Sequence, residues 1–164
     1  MNIFYLHSDP ALAAEMHCDK HVVKMILEYA QMLSTAHRVL DGDSYANQCG
    51  MYKTSHKNHP STIWTRTSER NYYWLWDLFD GCLKEYTNRY GKVHSTERLR
   101  KVLATPPFNI ATEAFFTDPP QCMPDQYKST STIAAYRKYY VNEKSHFAKW
   151  KMGNIPDWYT EFMM

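Results

Sequence analysis

Residues 19–40 read DKHVVKMILEYAQMLSTAHRVL, and their apolar side chains recur at steps of three and four residues. That spacing places them along one side of a helix with about 3.6 residues per turn. Gly42 follows where a helix needs a left-handed residue to end. The pattern therefore predicts a helix over residues 19–40, whose inward face is formed by Val22, Met25, Ile26, Tyr29, Leu33, Ala36 and Leu40.

The composition limits the kind of protein that surrounds this helix. The chain has 164 residues, 44% of them hydrophobic and 15% aromatic, with a formal net charge of +2. This apolar content excludes a disordered chain and predicts a single helical domain over residues 1–164. The sequence shows neither an apolar run of about 18 residues nor a secretory signal, so we expect a cytoplasmic protein without a membrane partner. The cysteines lack CxxC spacing, which favours reduced thiols in the core.

Other start and stop signals predict further helices. Asp9-Pro10 and the NHPS sequence at residues 58–61 are typical helix starts, and a long aromatic helix with a break near Ser68 is expected to follow the second. Ser95 or Thr96 is expected to cap a short helix, and a last helix is predicted over residues 132–151. Residues 41–57 and 105–130 are interpreted as loops, the second with five prolines. The expected fold is an all-α, compact bundle of four to five helices with a long proline-rich loop.

Candidate chemistry lies on the polar side of the first long helix. His17, His21, Lys24 and Glu28 fall on one stripe at 100° per residue, and Lys20 flanks them. Two histidines, two lysines and one carboxylate could bind a phosphate and place a general acid or base beside it. His17 and His21 also have the spacing of metal ligands, but Lys20 stands where the HExxH motif has glutamate. We therefore predict no metal and no cofactor; the alternative is an ordinary solvent-exposed face.

Three further basic and aromatic segments are candidates for phosphate or substrate contacts. The segment at residues 52–60 leads into a helix N-terminus, where free amides favour an anion. Each segment is also compatible with a plain polar loop. The candidate binding residues in these segments are His56, Asn58, His59, Arg66, Lys92, His94, Tyr127 and Lys128.

Short motifs carry a resemblance to known families. Residues 17–25 (HCDKHVVKM), 58–60 (NHP) and 123–128 (MPDQYK) look like a small family of uncharacterised bacteriophage proteins. More distantly, residues 58–60 and 89–92 (RYGK) resemble the pyrimidine-dimer DNA glycosylases of the phage endonuclease V type. That resemblance implies an all-α enzyme that inserts between DNA strands, attacks the sugar C1′ with an N-terminal amine and uses a glutamate on an early helix to manage protons.

The resemblance to the glycosylases implies a carboxylate and an amine in this chain. Glu28 is the matching carboxylate. Family members expose a small second residue after removal of methionine, whereas Asn2 is large enough that Met1 should stay. The candidate amines are therefore Met1, Lys20 and Lys24, and His21, His56, His59, Arg66 and Lys92 are the expected phosphate contacts.

Three classes of function remain open at this point. The leading hypothesis is a phage-type base-excision glycosylase or lyase with Glu28, Lys24 and His21 as its catalytic residues, acting in the cytoplasm of an infected bacterium. The alternative is a protein that binds or cleaves a small nucleotide, for example a cyclic dinucleotide used in host defence. The third is an interaction protein whose histidines are structural. The expected partner is a nucleic acid or a nucleotide, and an oligomer is left open.

Overall fold

A computed structural model describes residues 1–163 as an assembly of helices, without a strand in that range. The all-α prediction is confirmed, but residues 1–163 form eight α-helices rather than four to five. Two 3-10 helices lie at Ser95–Leu99 and Asp125–Tyr127. The α-helices are α1 (Pro10–Met16), α2 (Asp19–Asp41), α3 (Asp43–Gln48), α4 (Pro60–Thr67), α5 (Glu69–Tyr90), α6 (Arg100–Leu103), α7 (Thr132–Glu143) and α8 (Asp157–Met163).

The predicted helix over residues 19–40 is confirmed as α2, which extends one residue further to Asp41. It ends at Gly42, whose φ of 82° lies in the region that glycine adopts without a steric cost. The side chains of its apolar face, from Val22 to Ala36, are buried. Burial of this face, rather than helix propensity, is what stabilises a helix of this length in water.

Capping residues stand at the start of α1 and at both ends of α5. Asp9 caps α1 by accepting from the amides of Ala11 and Leu12. The aromatic segment is broken at Ser68, as predicted, and the Ser68 hydroxyl accepts from the amide of Asn71 at the start of α5. Gly91 ends α5 in the left-handed conformation with φ 68° and ψ 21°.

The first six residues run as an extended segment into the core. Ile3 and Leu6 are fully buried, and the ring of Phe4 stacks on that of His21 with centroids 4.3 Å apart. This segment therefore covers part of α2 that a helical wheel would assign to solvent. It also places Met1 beside the middle of α2.

Arg89 ties α1, α2 and α5 together. Its side chain is completely buried, and all five guanidinium N–H groups have partners. They donate to the carbonyl oxygens of Glu15 and His17 and to the carboxylates of Asp19 and Glu85, over 2.8–3.0 Å. Two carboxylates against one guanidinium compensate the buried charge.

The helices α1 and α5 approach each other closely at Gly81. A Cβ atom on this residue would lie 2.7 Å from the Cβ of Ala14, which is shorter than real Cβ contacts. The absence of a side chain at position 81 therefore sets the distance between the two helices.

Several local predictions are wrong. Residues 41–57 contain α3, so they are not all loop. His94, rather than Ser95 or Thr96, caps the short helical segment, because its ring nitrogen accepts from the amide of Thr96. The helix predicted over residues 132–151 is α7, which ends at Glu143, and Trp150 packs into the core from the irregular segment that follows. Among the described residues, no helix is long and apolar enough to cross a membrane.

Candidate functional site

The α-amino group of Met1 and the side chains of Lys24 and Glu28 form a group of charges on α2. The Met1 nitrogen lies 3.8 Å from Oε1 of Glu28, and Nζ of Lys24 lies 3.8 Å from Oε2. The Glu28 side chain is 17% exposed, whereas the Lys24 side chain is 66% exposed. One carboxylate thus stands between two amines, one held by the fold and one reaching into solvent.

Met1 is anchored by its side chain. That side chain is only 3% exposed and packs against the hydrophobic core, with its sulfur 4.0 Å from the Thr62 hydroxyl. The residue as a whole is nevertheless half-buried, so its exposed surface lies on main-chain atoms. The core therefore holds the amine in place at the protein surface.

The carboxylate of Glu28 has an unused acceptor. Oε2 is buried and has no hydrogen-bond partner among the residues that the structure describes. The two amines are near enough for charge attraction but too far for a hydrogen bond. A buried carboxylate oxygen without a donor is costly for stability, and it is ready to accept a proton or a donor from a bound molecule.

A tight turn at residues 56–59 lies next to this group. The amide of His59 donates to the carbonyl of His56 over 3.0 Å, and His56 adopts a φ of 46°, which is uncommon for a residue with a side chain. Two contacts fix the turn from outside. Thr35 of α2 accepts from the amide of Ser55, and Arg66 of α4 donates to the carbonyl of Lys57 over 2.9 Å. The exposed side chains of His56, Lys57 and Asn58 therefore stand on a fixed backbone.

His59 links the turn to the amine. Its Nδ1 accepts from the amide of Ser61 over 3.1 Å and so caps α4. Burial lowers the pKa of His59, and the positive charges of the α-amino group and of His56 act in the same direction. The ring is thus neutral at pH 7 and carries its proton on Nε2, which makes it a hydrogen-bond donor near the amine.

The structure places His17 and His21 in the core, away from the surface on which phosphate contacts were expected. His17 is fully buried; its Nδ1 donates to the Ala13 carbonyl over 2.6 Å, and its Nε2 accepts from the Tyr29 hydroxyl over 2.8 Å. Nδ1 of His21 is 2.7 Å from the Tyr140 hydroxyl, and its ring is covered by Phe4. Burial lowers the pKa of His17 to about 4 and that of His21 to about 2, so both rings are neutral.

The remaining candidates are distributed over other parts of the surface. Lys20 lies 4.6 Å over the ring of Phe147, and Lys92 is exposed just beyond α5. His94 caps the 3-10 helix at Ser95–Leu99. The contacts of Tyr127 and Lys128 are with Glu143 at 2.6 Å and with Asp125 at 3.0 Å.

Of the predicted site residues, Lys24 and Glu28 are paired on α2, and His56, Asn58 and His59 lie in the turn that Arg66 supports. The α-amino group of Met1 lies near both sets, because it pairs with Glu28 and its charge lowers the pKa of His59. Met1 is also one of the predicted amines, and the path of the first six residues places it beside Glu28. Within residues 1–163, no three His, Cys, Asp or Glu side chains are arranged to hold a metal ion.

Comparison with known proteins gives neither a family nor a function, because no protein-family model, no curated protein and no solved structure matches this chain.

Proposed function

We propose that this protein is a DNA base-excision enzyme that uses the α-amino group of Met1 as its nucleophile and Glu28 to move protons. The observation that carries the proposal is the 3.8 Å approach of that amine to a carboxylate with a buried, unpartnered oxygen. A nucleophile beside a proton acceptor is the minimum requirement for amine catalysis at a sugar carbon.

The reaction balances with these two groups. The amine nitrogen gives its lone pair to C1′ of the sugar, and the bond from C1′ to the base breaks with its electron pair going to the base. The proton lost by the amine passes to Glu28 and from there to the departing base. The sugar ring then opens: the electron pair of the C1′–O4′ bond goes to O4′, which takes a proton from water, and a protonated imine forms at C1′. In the lyase step the Glu28 carboxylate removes a C2′ proton, and the 3′-phosphate leaves with the electron pair of its bond to C3′.

Met1 is a better candidate for the nucleophile than Lys24. The side chain of Lys24 is 66% exposed, whereas that of Met1 is 3% exposed and packs against the core, so the amine of Met1 is the better oriented of the two. In this scheme Lys24 and the turn at residues 56–59 face the DNA phosphates, together with Arg66 and Lys92.

The experiment is reductive trapping on damaged DNA. The full chain is incubated with UV-irradiated duplex, and separately with a duplex that contains one abasic site, in the presence of borohydride. We expect a covalent protein–DNA adduct, because borohydride reduces the imine to a stable secondary amine, and peptide mapping should locate it on Met1. A variant with Gly-Ser-Gly placed before Met1 should form no adduct, since its amine is displaced from Glu28.

Other outcomes separate the alternatives. An adduct on Lys24 or Lys20 would keep the reaction class but move the nucleophile. The absence of both strand cleavage and adduct on every damaged duplex would overturn the proposal. Cleavage of a cyclic dinucleotide without action on DNA would assign the protein to the small-nucleotide class instead.

A further inference from the structure

A cavity lies at the C-terminal end of α2, on the side facing away from Glu28. It has a volume of about 470 Å³ and is bordered by His37 and Asp41 of α2, Tyr45 of α3, and the segment from Thr105 to Asn109. His37 is nine positions after Glu28, which places the two side chains half a turn apart around the helix. The cavity size is in the range of small-molecule sites.

The hydrogen bonds around His37 fix the tautomer of its ring. The Tyr72 hydroxyl is 2.6 Å from the Leu103 carbonyl, which can only accept, so the hydroxyl proton is used there. Nε2 of His37, 2.9 Å from the same hydroxyl, must therefore be the donor. Burial lowers the pKa of His37 to about 4, although Asp41 acts in the opposite direction, and the ring is neutral at pH 7. Nδ1 is consequently a bare acceptor.

This acceptor has no partner. Nδ1 is buried, in a residue only 3% exposed, and no group among the described residues donates to it. His37 and Thr105 both border the cavity. The Thr105 carbonyl, another acceptor, lies close enough to the ring to raise the pKa of His37 against the effect of burial. An occupant of the cavity therefore has to supply hydrogen-bond donors, and an amino group supplies two.

The walls of the cavity fit a flat ring. Tyr45 is 50% exposed and Phe108 is 92% exposed, and both border the cavity. The Phe108 wall is fixed, because Asp41 accepts from the amide of Phe108 over 2.7 Å and from the amide of Asn109 over 3.0 Å. The carboxylate at the rim also repels phosphate, which favours an uncharged ligand.

We infer that this cavity binds the base of a nucleoside with an exocyclic amino group, adenine or cytosine. The amino group donates to Nδ1 of His37 and to the Thr105 carbonyl, and the ring stacks on Phe108 and Tyr45. The inference does not depend on the amine at Glu28, since no residue is shared between the two sites.

The test is a titration of the full chain with adenosine and with cytidine, followed by NMR of the imidazole nitrogens and of the ligand. We expect at least one of them to bind and to shift the Nδ1 resonance of His37. The matching N,N-dimethylated nucleoside, which lacks the donor, should bind at least about tenfold more weakly. Phe108→Ala should weaken binding by about tenfold, as loss of one base–aromatic stack does. Phe115→Ala, which removes a ring that is 80% exposed outside this cavity, should leave it unchanged.

Three results would overturn the inference. These are no binding of either nucleoside at millimolar concentration, equal binding of the dimethylated analogue, and equal effects of Phe108→Ala and Phe115→Ala. Because both phenylalanines are exposed, neither variant is expected to disturb folding. Failure here would leave the trapping result on Met1 unaffected, and failure of trapping would leave this titration unaffected.

Discussion

Arg89 and Glu28 both carry charge beneath the surface, the first where α1, α2 and α5 meet and the second midway along α2. Arg89 has a partner for each of its five N–H groups and two carboxylates against its charge. Glu28 has two amines at 3.8 Å and a buried oxygen with no hydrogen bond among the described residues. A buried charged side chain whose hydrogen-bonding groups all have partners holds helices together. One with an unpartnered oxygen can still accept a hydrogen bond or a proton from a substrate.

The largest expected effect is on turnover in Glu28→Gln. Loss of the proton acceptor should reduce excision or strand cleavage by about 10²–10⁴-fold, the range for general acid–base groups. DNA binding should persist, because removal of a negative charge reduces repulsion of phosphate. Kinetic assays with Glu113→Gln, an exposed glutamate elsewhere, provide the control. Unchanged turnover in Glu28→Gln would show that Glu28 is not catalytic and would contradict the distinction between a functional Glu28 and a structural Arg89.

Arg89→Met should have a comparable effect on stability. The substitution leaves the carboxylates of Asp19 and Glu85 without their guanidinium, and breaking such a buried pair costs about 3–5 kcal/mol in the free energy of unfolding. Urea denaturation measures the change. Arg98→Met, at an exposed arginine bonded to the Gly50 carbonyl, should cost less than about 1 kcal/mol. Similar losses in both variants would contradict a structural role specific to Arg89.

The pH dependence of stability should show the contribution of His17, a buried residue whose carbonyl accepts from Arg89. Its pKa is about 4 in the fold against an ordinary 6.5, so between these values the unfolded chain binds more protons. Its contribution is therefore fully present above pH 6.5 and is lost as the pH falls towards 4. The drop in unfolding free energy from pH 7 to pH 5 should be about 2 kcal/mol smaller in His17→Gln than in the wild type. His146→Gln, at an exposed histidine, should show the wild-type drop.

The smallest expected effect is that of Lys24→Gln. Its pair with Glu28 spans one helical turn and is exposed on the lysine side, so its loss should cost about 0.2–0.5 kcal/mol. For a protein of this size the melting temperature should fall by about 0.4–2 °C. Borohydride trapping should still occur in the variant. Complete loss of the adduct would instead identify Lys24 as the nucleophile.

The long helices were predictable because their signals are local. Apolar spacing and the residues at their ends define α2 to within one residue and place the break before α5 at Ser68. Short α3 escaped prediction because it buries a single residue, Ala46, and so has no periodicity. The end of α7 was missed because Phe147 and Trp150 continue the helical spacing, although they pack from irregular backbone beyond Glu143.

The candidate site was predictable only in part. The polar stripe of α2 correctly brings Lys24 next to Glu28, since both lie on one helix. The same projection includes His17 and His21, but both rings are buried. His17 lies in extended backbone between α1 and α2, where a helical projection does not apply, and Phe4 of the first six residues covers His21. Contacts between distant segments of the chain decide which polar side chains stay exposed, and helical periodicity contains no information about them.

The close approach at Gly81 has a consequence for how this sequence can vary. A methyl group at position 81 would overlap that of Ala14, so Gly81→Ala alone forces α1 away from α5. Ala14→Gly removes the opposing methyl group, and the double variant should recover much of the lost stability. Among natural descendants of this sequence, alanine at 81 and glycine at 14 should therefore occur together, as a pair of substitutions that are each harmful alone.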